Sequence, residues 1–440
     1  MATPYLRPVS PVSLSRRNKG KKENMEKQND VVVRLAKHVI AKVADGSNLV
    51  FSPTSIIVLL GIIAAGSNSV TKEHILSFLN SPSTDHLNTI LVEIISVARR
   101  DVNVVSTPQG RRSSPCQSID GLGPDFWSLL DDRESSASGV RLSAANGVWI
   151  DKSVSLKPSF KENLEKSYKA TSSQVDFFNK PGEVIDEVNT WAEDHTNGLI
   201  KQILSKDSIE DICQSTLILA NAVYFKGAWS EKFDARSTKD NDFYLLDGTS
   251  VKVPFMNSHK DQYLRRYDGF QVLRLPYVED QRQFSMYIYL PDARNGLPTL
   301  LEKIGSEPGY LDNHIPNYQI ELDAFKIPKF KFSFKFKASD VLKDMGLTSP
   351  FRTNGGGLTE MVDSPTIAEK LYVSNILHNA CIELDEEGTE AAAVSVGEIS
   401  FFCLRKNPDF VADHPFLFTV REDKSGVILF MGQVLDPSKH

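Results

Sequence analysis

The sequence predicts an α+β protein with a large share of β-structure that folds as one domain. Three short apolar runs that end near turn residues are typical of buried strands: Leu217–Phe225, Ser285–Leu290 and Val427–Phe430. They alternate with stretches of helical periodicity such as Val184–Asp194, and no fixed-period repeat is present. Only one internal stretch, at about 106–138, has the Pro- and Ser-rich composition of a linker. A single large domain therefore fits the chain.

Two helices are predicted near the start of this domain. Asn29 or Asp30 is a suitable cap for a helix whose apolar residues form one stripe, as on a surface helix that docks on a core. Ser52-Pro53 combines a capping hydroxyl with a proline suited to the first helical turn. The apolar run that follows has almost no polar face, so this second helix must lie inside the core.

Alternating phenylalanines between Lys329 and Lys337 predict a strand with one aromatic face, formed by Phe330, Phe332, Phe334 and Phe336. An aromatic and basic platform that stacks nucleic-acid bases is one interpretation. A face buried against a helix layer, with lysines keeping the opposite face soluble, is the favoured one.

Charge and cysteine content exclude several classes of protein. A formal net charge of −6 argues against a nucleic-acid partner. The four cysteines have no CxxC spacing, and no Asn-x-Ser/Thr sequon is present, so a reducing compartment is expected. The longest apolar run, Ile56–Ala65, is far shorter than the ~20 residues that a membrane-spanning helix needs, so no membrane partner is predicted.

The N-terminal 28 residues are expected to be a disordered basic extension. The first 22 residues carry no acid, and Arg16, Arg17, Lys19, Lys21 and Lys22 are suited to a nuclear signal. An organelle transit peptide and an unused upstream start before Met25 are the alternatives left open. We expect the protein in the cytoplasm and, through the basic residues, in the nucleus.

Catalytic and cofactor motifs are missing from the sequence. There is no P-loop, HExxH, EF-hand loop or GxSxG, and the nine histidines are scattered. His378 lies in an apolar, strand-like run without a nucleophile motif, which favours a hydrogen-bonded core histidine over a catalytic base. We therefore predict no cofactor, no metal and no enzyme activity.

The segment Glu386–Ser400 reads EEGTEAAAVSVGEIS, which is unusual for a surface loop. If it is extended, one face carries only small side chains and the other carries the glutamates, so the first face can be buried with little desolvation. Such a segment can enter a sheet as an added strand, with Gly388 as its hinge. An alanine-rich helix is the competing interpretation.

Four motifs in order resemble the serpins, and specifically the plant serpins, from about Asn29 to the C-terminus. They are NLVFSPTSI (48–56), ANAVYFKGAWSEKF (220–233), EEGTEAAA (386–393) and DFVADHPFLF (409–418). The resemblance implies one domain over residues 29–440 with about three β-sheets, about nine helices and an exposed reactive-centre loop at about 386–408.

The resemblance also implies three groups of site residues. A polar cluster under the central sheet comprises Ser52, Ser55, Asn221 and His378. The region where insertion starts comprises Trp229, Lys329 and Glu386, with a partly buried Lys329–Glu386 ion pair expected. The hinge of the loop comprises Glu386, Gly388, Thr389, Glu390, Ala391, Ala392 and Ala393.

The family's spacing of sixteen residues from Glu386 places the reactive bond at Phe402–Cys403. The implied activity is that of a protease inhibitor that acts as a suicide substrate: the loop is cleaved, inserts into the sheet and traps the protease as a covalent complex. Phe402 suits a chymotrypsin-like target, and Phe401 before it suits papain-like cysteine proteases. Arg405 and Lys406 are alternative reactive residues for trypsin-like enzymes or metacaspases.

Two other functions compete with protease inhibition. A non-inhibitory binding protein or chaperone on the same fold is the alternative function, although the small-residue face of the hinge, Thr389, Ala391 and Ala393, lacks the bulky, charged or proline residues that would favour it. A hydrolase is remote. We expect the inhibitor to be a monomer.

The chain departs from the family pattern in two places. Asn379 stands where the family usually has lysine, which should cost little at a strand surface. The atypical insertion at about 106–138 is a disordered segment or a gene-model error.

Overall fold

The computed structural model of the protein describes residues 11–44, 46–98, 141–279, 281–353, 355–386 and 407–439. Within these ranges the chain forms three β-sheets and eleven α-helices, three of which have six or fewer residues. The predicted α+β architecture of about three sheets and nine helices is therefore confirmed.

The helices are α1 (Pro11–Lys42), α2 (Pro53–Ala65), α3 (Ser69–Phe78), α4 (Thr84–Ala98), α5 (Pro158–Lys166), α6 (Pro181–His195), α7 (Ile209–Cys213), α8 (Leu297–Ile304), α9 (Tyr310–Asn313), α10 (Ala338–Asp344) and α11 (Pro365–Lys370). The strands are β1 (Leu49–Phe51), β2 (Arg141–Asp151), β3 (Thr171–Val175), β4 (Leu217–Lys226), β5 (Lys239–Tyr244), β6 (Ser250–Asn257), β7 (Gln262–Tyr267), β8 (Phe270–Pro276), β9 (Phe284–Pro291), β10 (Gln319–Ile320), β11 (Ala324–Pro328), β12 (Phe330–Lys337), β13 (Asn375–Leu384), β14 (Asp409–Val411), β15 (Phe416–Glu422) and β16 (Ile428–Val434).

Three sheets position the candidate site. The five-stranded sheet has the order β12-β13-β4-β2-β3, and the two other sheets have the orders β1-β16-β15-β9-β8-β7-β10 and β14-β11-β6-β5. In the five-stranded sheet β12–β13 and β2–β4 are antiparallel pairs, and β2–β3 at one edge is a parallel pair. The central pair, β4 and β13, is parallel over eight register positions. The residues after β13 lead from this sheet to β14 in the four-stranded sheet.

The first helix begins earlier than the sequence predicts. It runs from Pro11 rather than from a cap at Asn29 or Asp30, so residues 11–28 are helical where a disordered extension was expected. Asn29 instead donates its side-chain amide to the backbone oxygen of Gly426 at 3.0 Å. The predicted apolar stripe is confirmed, because Val32, Leu35, Ala36 and Val39 are fully buried.

The second helix is a core helix, as predicted. Ser52 caps α2 by accepting a hydrogen bond from the backbone N–H of Ser55, and Pro53 occupies the first turn. Every residue from Pro53 to Ala64 is buried. An apolar surface on all sides of a helix is stable only where protein surrounds it, so α2 fixes the centre of the core.

The aromatic face of β12 packs inside the protein, as the favoured interpretation predicts, but it packs against strands where a helix layer was expected. Phe330 and Phe332 are buried, and Phe330 packs against Phe416 and Phe418 with ring centroids 6.2 and 5.6 Å apart. Phe336 contacts Phe51 of β1 at 6.2 Å. These contacts join the five-stranded sheet to the seven-stranded sheet, where the sequence suggested a helix layer.

A second, smaller core lies on the other face of the five-stranded sheet. Its residues come from β2, β4, β13 and helix α6, and include Trp149, Trp191, Tyr224 and Cys381. Helix α6 packs against β2, and residues that follow it, including Ile203 and Leu204, complete the cover of this face.

Two predicted segments lie outside the described residues. They are the insertion at about 106–138 and the loop residues 387–406, where an alanine-rich helix was the competing interpretation. Among the helices that the structure describes, none has the length and apolar character needed to cross a membrane.

Candidate functional site

The end of β13 is held by an ion pair that anchors the start of the loop. Lys329 donates to Glu386 at 2.6 Å, and the Thr238 hydroxyl donates to the other carboxylate oxygen at 2.7 Å. The predicted partly buried pair is confirmed, since the Lys329 side chain is 33% exposed and that of Glu386 is 9% exposed. Burial alone would raise the pKa of Glu386, but the hydrogen bonds from Lys329 and Thr238 outweigh it, and the pKa lies below its usual value.

Two aromatic residues hold the backbone at this same end, which we call the hinge end (Trp229, Lys329 and Glu386). The indole N–H of Trp229 donates to the Asp385 carbonyl at 2.9 Å, and the Phe233 N–H donates to the Glu386 carbonyl at 3.4 Å. Trp229 also stacks on Tyr277 at 4.4 Å between ring centroids. The structure thus brings together all three residues of the predicted insertion start.

Gly227 makes this arrangement possible because it lies directly against the Tyr277 ring. A Cβ atom at this position would lie 2.3 Å from a ring carbon, which no side chain tolerates without a shift. The glycine therefore allows the turn after β4 to bring Trp229 over Tyr277.

A row of charged side chains crosses three strands below the hinge end. Glu383 of β13 accepts from Lys331 of β12 at 2.8 Å and from Lys226 of β4 at 3.5 Å. Lys226 also contacts the Asp385 carboxylate at 3.5 Å. The row therefore links β4, β13 and β12 through one central carboxylate.

The predicted polar cluster of Ser52, Ser55, Asn221 and His378 lies under the middle of the sheet. The Ser52 N–H donates to His378 Nε2 at 3.0 Å, and the Ser55 hydroxyl donates to the Ser52 carbonyl at 2.8 Å. His378 thereby joins β13 to the start of helix α2. Because Nε2 accepts, a neutral ring carries its proton on Nδ1.

The cluster has a second half that belongs to β4. The Asn221 amide donates to the Ala145 carbonyl at 3.0 Å and to Asn146 Oδ1 at 2.8 Å, both on β2. Asn221 and His378 are register partners across the β4–β13 pair, yet Asn221 Oδ1 and His378 Nδ1 are buried without hydrogen-bond partners. The polar cluster therefore has two separate halves: His378 of β13 is bonded to the start of helix α2, and Asn221 of β4 is bonded to β2.

Burial makes His378 a neutral, structural residue. The side chain is surrounded by protein, which lowers the pKa of His378 to about 3. A ring that stays neutral over the physiological range and accepts from a backbone N–H, not from a serine hydroxyl, is not suited to activating a nucleophile. The predicted structural role is supported by this geometry.

Asn379 lies in a different environment from the one expected. It is buried, its amide N–H₂ reaches the Gln202 carbonyl at 3.4 Å, and its Oδ1 has no hydrogen-bond partner. The prediction that Asn379 lies at a strand surface, where replacing the usual lysine costs little, is therefore wrong. The outer face of β13 is covered by protein here, which a single sequence does not reveal.

Most of the predicted loop lies outside the described residues. This applies to the hinge residues Gly388, Thr389, Glu390, Ala391, Ala392 and Ala393, to the bond Phe402–Cys403, and to Arg405 and Lys406.

The sequence did not predict the roles of Thr238, Tyr277 and the charged row. The only signal for the row was the pattern of charges at alternate positions of β12 and β13, and their partners depend on strand register. Within the described residues, no cluster of three or more His, Cys, Asp or Glu side chains is arranged to hold a metal ion.

Comparison with known proteins decides the family. A family model described as Serpin (serine protease inhibitor) matches residues 26–437. The chain belongs to the serpin family. Serpin-Z10 of Arabidopsis thaliana is 69% identical over 418 residues, which cover 95% of this chain and 99% of the relative. Serpin-Z3 of the same plant is 65% identical over 422 residues, with 95% and 99% covered.

A solved structure shows the same fold in a plant relative. The serpin chain matches the structure of Arabidopsis AtSerpin1 in its native stressed conformation with a TM-score of 0.81 and 52% identity, covering 95% of this chain and 99% of that one. The resemblance to plant serpins is confirmed, and the family assigns this serpin a general role in protease inhibition.

Removing the amine of the hinge-end ion pair should destabilise this serpin. We expect Lys329→Met to lower the free energy of unfolding by about 1–3 kcal/mol, because the buried Glu386 carboxylate loses its cation and keeps only uncharged hydrogen-bond donors. The measurement is denaturant unfolding at neutral pH. The matched control is Lys166→Met, whose pair with Glu162 is 73% and 61% exposed and should contribute little. Equal effects of the two substitutions would contradict the structural role of the Lys329 pair.

Acid should destabilise the fold through His378. The unfolded state takes up a proton near the ordinary histidine pKa of about 6.5, whereas the folded state does not until about pH 3. Stability contributed by the neutral ring is therefore present above pH 6.5 and is lost as the pH falls, by about 1.4 kcal/mol per pH unit. In His378→Gln, which retains an acceptor for Ser52, the slope of unfolding free energy against pH between 4 and 6 should decrease by about one proton. An unchanged slope would mean that His378 is protonated in the fold.

Proposed function

We propose that this serpin inhibits endopeptidases as a suicide substrate, by inserting its cleaved loop between β4 and β13. The observation that carries the proposal is the parallel pairing of these two strands at the centre of the sheet, next to the point where the loop begins. We call this strand pair the central seam.

Strand direction favours the central seam over the other side of β13. A chain that folds back after Glu386 runs antiparallel to β13. Between β13 and β4 it would be antiparallel to both, so one parallel pair would become two antiparallel pairs. Between β13 and β12 it would be parallel to β12 and would replace an existing antiparallel pair. Antiparallel pairing is slightly more stable per residue, so insertion at the central seam is the favourable choice.

The loop sequence supports insertion because one face carries only small side chains. Thr389, Ala391 and Ala393 alternate with Glu390 and Ala392. Alanine has no polar side-chain group to desolvate, and a threonine hydroxyl needs a single hydrogen-bond partner. The face that becomes covered by protein would therefore be buried at little cost.

The chemistry at the reactive bond is that of an interrupted proteolysis. The serine or cysteine nucleophile of the target attacks the carbonyl carbon of Phe402, and the bond from that carbon to the Cys403 nitrogen breaks. The nitrogen leaves as an amine that takes a proton from the protease, and Phe402 remains joined to the enzyme as an ester or thioester. Insertion moves the attached protease before water can hydrolyse this acyl bond.

The proposed partners are chymotrypsin-like serine proteases and papain-like cysteine proteases. Phe402 fits an apolar primary pocket, and Phe401 fits the neighbouring pocket of papain-like enzymes; Arg405 and Lys406 remain the alternatives for trypsin-like enzymes or metacaspases. The protein is proposed to act as a monomer in the cytoplasm and nucleus. Cys213 and Cys381 are free thiols, which agrees with a reducing compartment.

Trapping should depend on which face of the hinge carries a charge. We expect the protein to form an SDS-stable complex with chymotrypsin or papain, and Thr389→Arg to be cleaved without forming this complex. The inserting strand would have to bury an unpaired cation, at a cost of several kcal/mol. Glu390→Arg is the matched control, because its side chain is on the opposite face, and it should still trap protease. Gel electrophoresis of each mixture measures the ratio of complex to cleaved inhibitor.

Each outcome separates the candidate functions. Unchanged trapping by Thr389→Arg would contradict insertion as the mechanism. Cleavage of every variant, the unsubstituted protein included, without any complex would favour the non-inhibitory binding protein or chaperone.

The reactive bond can be located from the fragment that cleavage releases. Mass spectrometry of the complex with chymotrypsin should detect a C-terminal fragment that begins at Cys403. We expect Phe402→Asp to abolish this inhibition, since a carboxylate in an apolar pocket loses its hydration without gaining a partner, whereas Arg405→Ala should retain it. A fragment that begins at Lys406 would move the reactive residue to Arg405 and the target to a protease that cleaves after basic residues.

A further inference from the structure

We propose that Lys226 forms an ionic latch across the central seam, and that breaking this latch is part of the barrier to loop insertion. The proposal rests on the proposed insertion between β4 and β13. It concerns a residue that does not contact the reactive bond.

The contacts of Lys226 cross the seam and no other strand pair. Its ammonium lies on β4, 3.5 Å from the Glu383 carboxylate and 3.5 Å from the Asp385 carboxylate. Glu383 belongs to β13, and Asp385 follows it directly. One cation therefore holds two anions on the opposite side of the pair that has to separate.

Partial burial strengthens these contacts relative to fully exposed ion pairs but leaves them partly open to screening by salt. The side chains of Lys226, Glu383 and Asp385 are 31%, 19% and 22% exposed. Burial disfavours the charged form of Glu383, but the hydrogen bonds and charges of Lys331 and Lys226 outweigh it and keep the pKa of this carboxyl below its usual value. The carboxylate therefore stays ionised at neutral pH and available to Lys226.

Insertion of a strand would separate the partners of the latch. Neighbouring strands lie about 4.8 Å apart, so an additional strand would double the spacing between β4 and β13 to about 10 Å. Both contacts of Lys226 would then be lost. The contact of Lys331 with the same Glu383 would remain, because β12 and β13 stay adjacent.

This difference supplies a matched pair of variants. Lys226→Met and Lys331→Met each remove one ammonium group that binds Glu383 and keep most of the apolar side chain. Lys226→Met removes the two contacts across the seam, whereas the contact of Lys331 with Glu383 lies between β12 and β13. Both variants remove one positive charge and leave Glu383 with one of its two lysines, so any general effect of these changes is shared.

The test measures how fast the seam accepts a strand. An acetylated, fluorescently labelled peptide with the sequence of residues 389–402 (TEAAAVSVGEISFF) is incubated with the full-length protein and the two variants. Uptake is followed by anisotropy and by native gel. Lys226→Met should take up the peptide about two- to five-fold faster than the unsubstituted protein, as expected for one to two partly exposed ion pairs. Lys331→Met should take it up at an unchanged or lower rate.

Salt dependence and substitution of the two carboxylates provide independent readouts. Raising the ionic strength should accelerate uptake by the unsubstituted protein and leave Lys226→Met unchanged, since the latch is already absent. Adding Glu383→Gln and Asp385→Asn to Lys226→Met should give no further acceleration. Similar rates for Lys226→Met, Lys331→Met and the unsubstituted protein would overturn the latch and leave insertion intact. No uptake by any of them would overturn insertion, and the latch with it.

Discussion

Eight register positions hold β4 parallel to β13 in the middle of the five-stranded sheet, and the other features of the site are arranged around this pairing. The aromatic face of β12 fixes one side of the sheet to the seven-stranded sheet. Residues that follow helix α6 cover the pair from outside, and helix α2 meets it from within through Ser52 and His378. The proposed loop insertion requires the edges of the sheet to be fixed and this pair to be separable, and the contacts are distributed accordingly.

The polar cluster shows that the centre is incompletely bonded. Asn221 Oδ1 and His378 Nδ1 lie on opposite strands of the seam, and both are buried without partners. The two side chains therefore form no hydrogen bond with each other, and the polar cluster does not tie β4 to β13. The proposed latch of Lys226, in contrast, joins these two strands through side chains.

The sequence predicted the elements that depend on residues close to one another along the chain. The Ser52-Pro53 cap, the buried helix α2 and the alternating phenylalanines of β12 follow from residue types within a few positions of one another. The pairing of Lys226 with Glu383 does not, because these residues are 157 positions apart and meet only through strand register. The same reason explains the burial of Asn379 and the sheet partners of Phe330. The Lys329–Glu386 pair was predicted only through the resemblance to serpins, which carries information about register that one sequence lacks.

The stack of Trp229 on Tyr277 has a consequence for observing the molecule in solution. Trp229 is bonded to the Asp385 carbonyl at the hinge end, whereas Trp149 and Trp191 pack edge to face at 5.0 Å in the second core beneath α6. These three indoles lie in two distinct environments, one at the point where the loop leaves the sheet and one beside strands β2 and β4. The protein therefore contains natural fluorophores at both places, and variants that keep only Trp229, or only Trp149 and Trp191, would report on the two places separately.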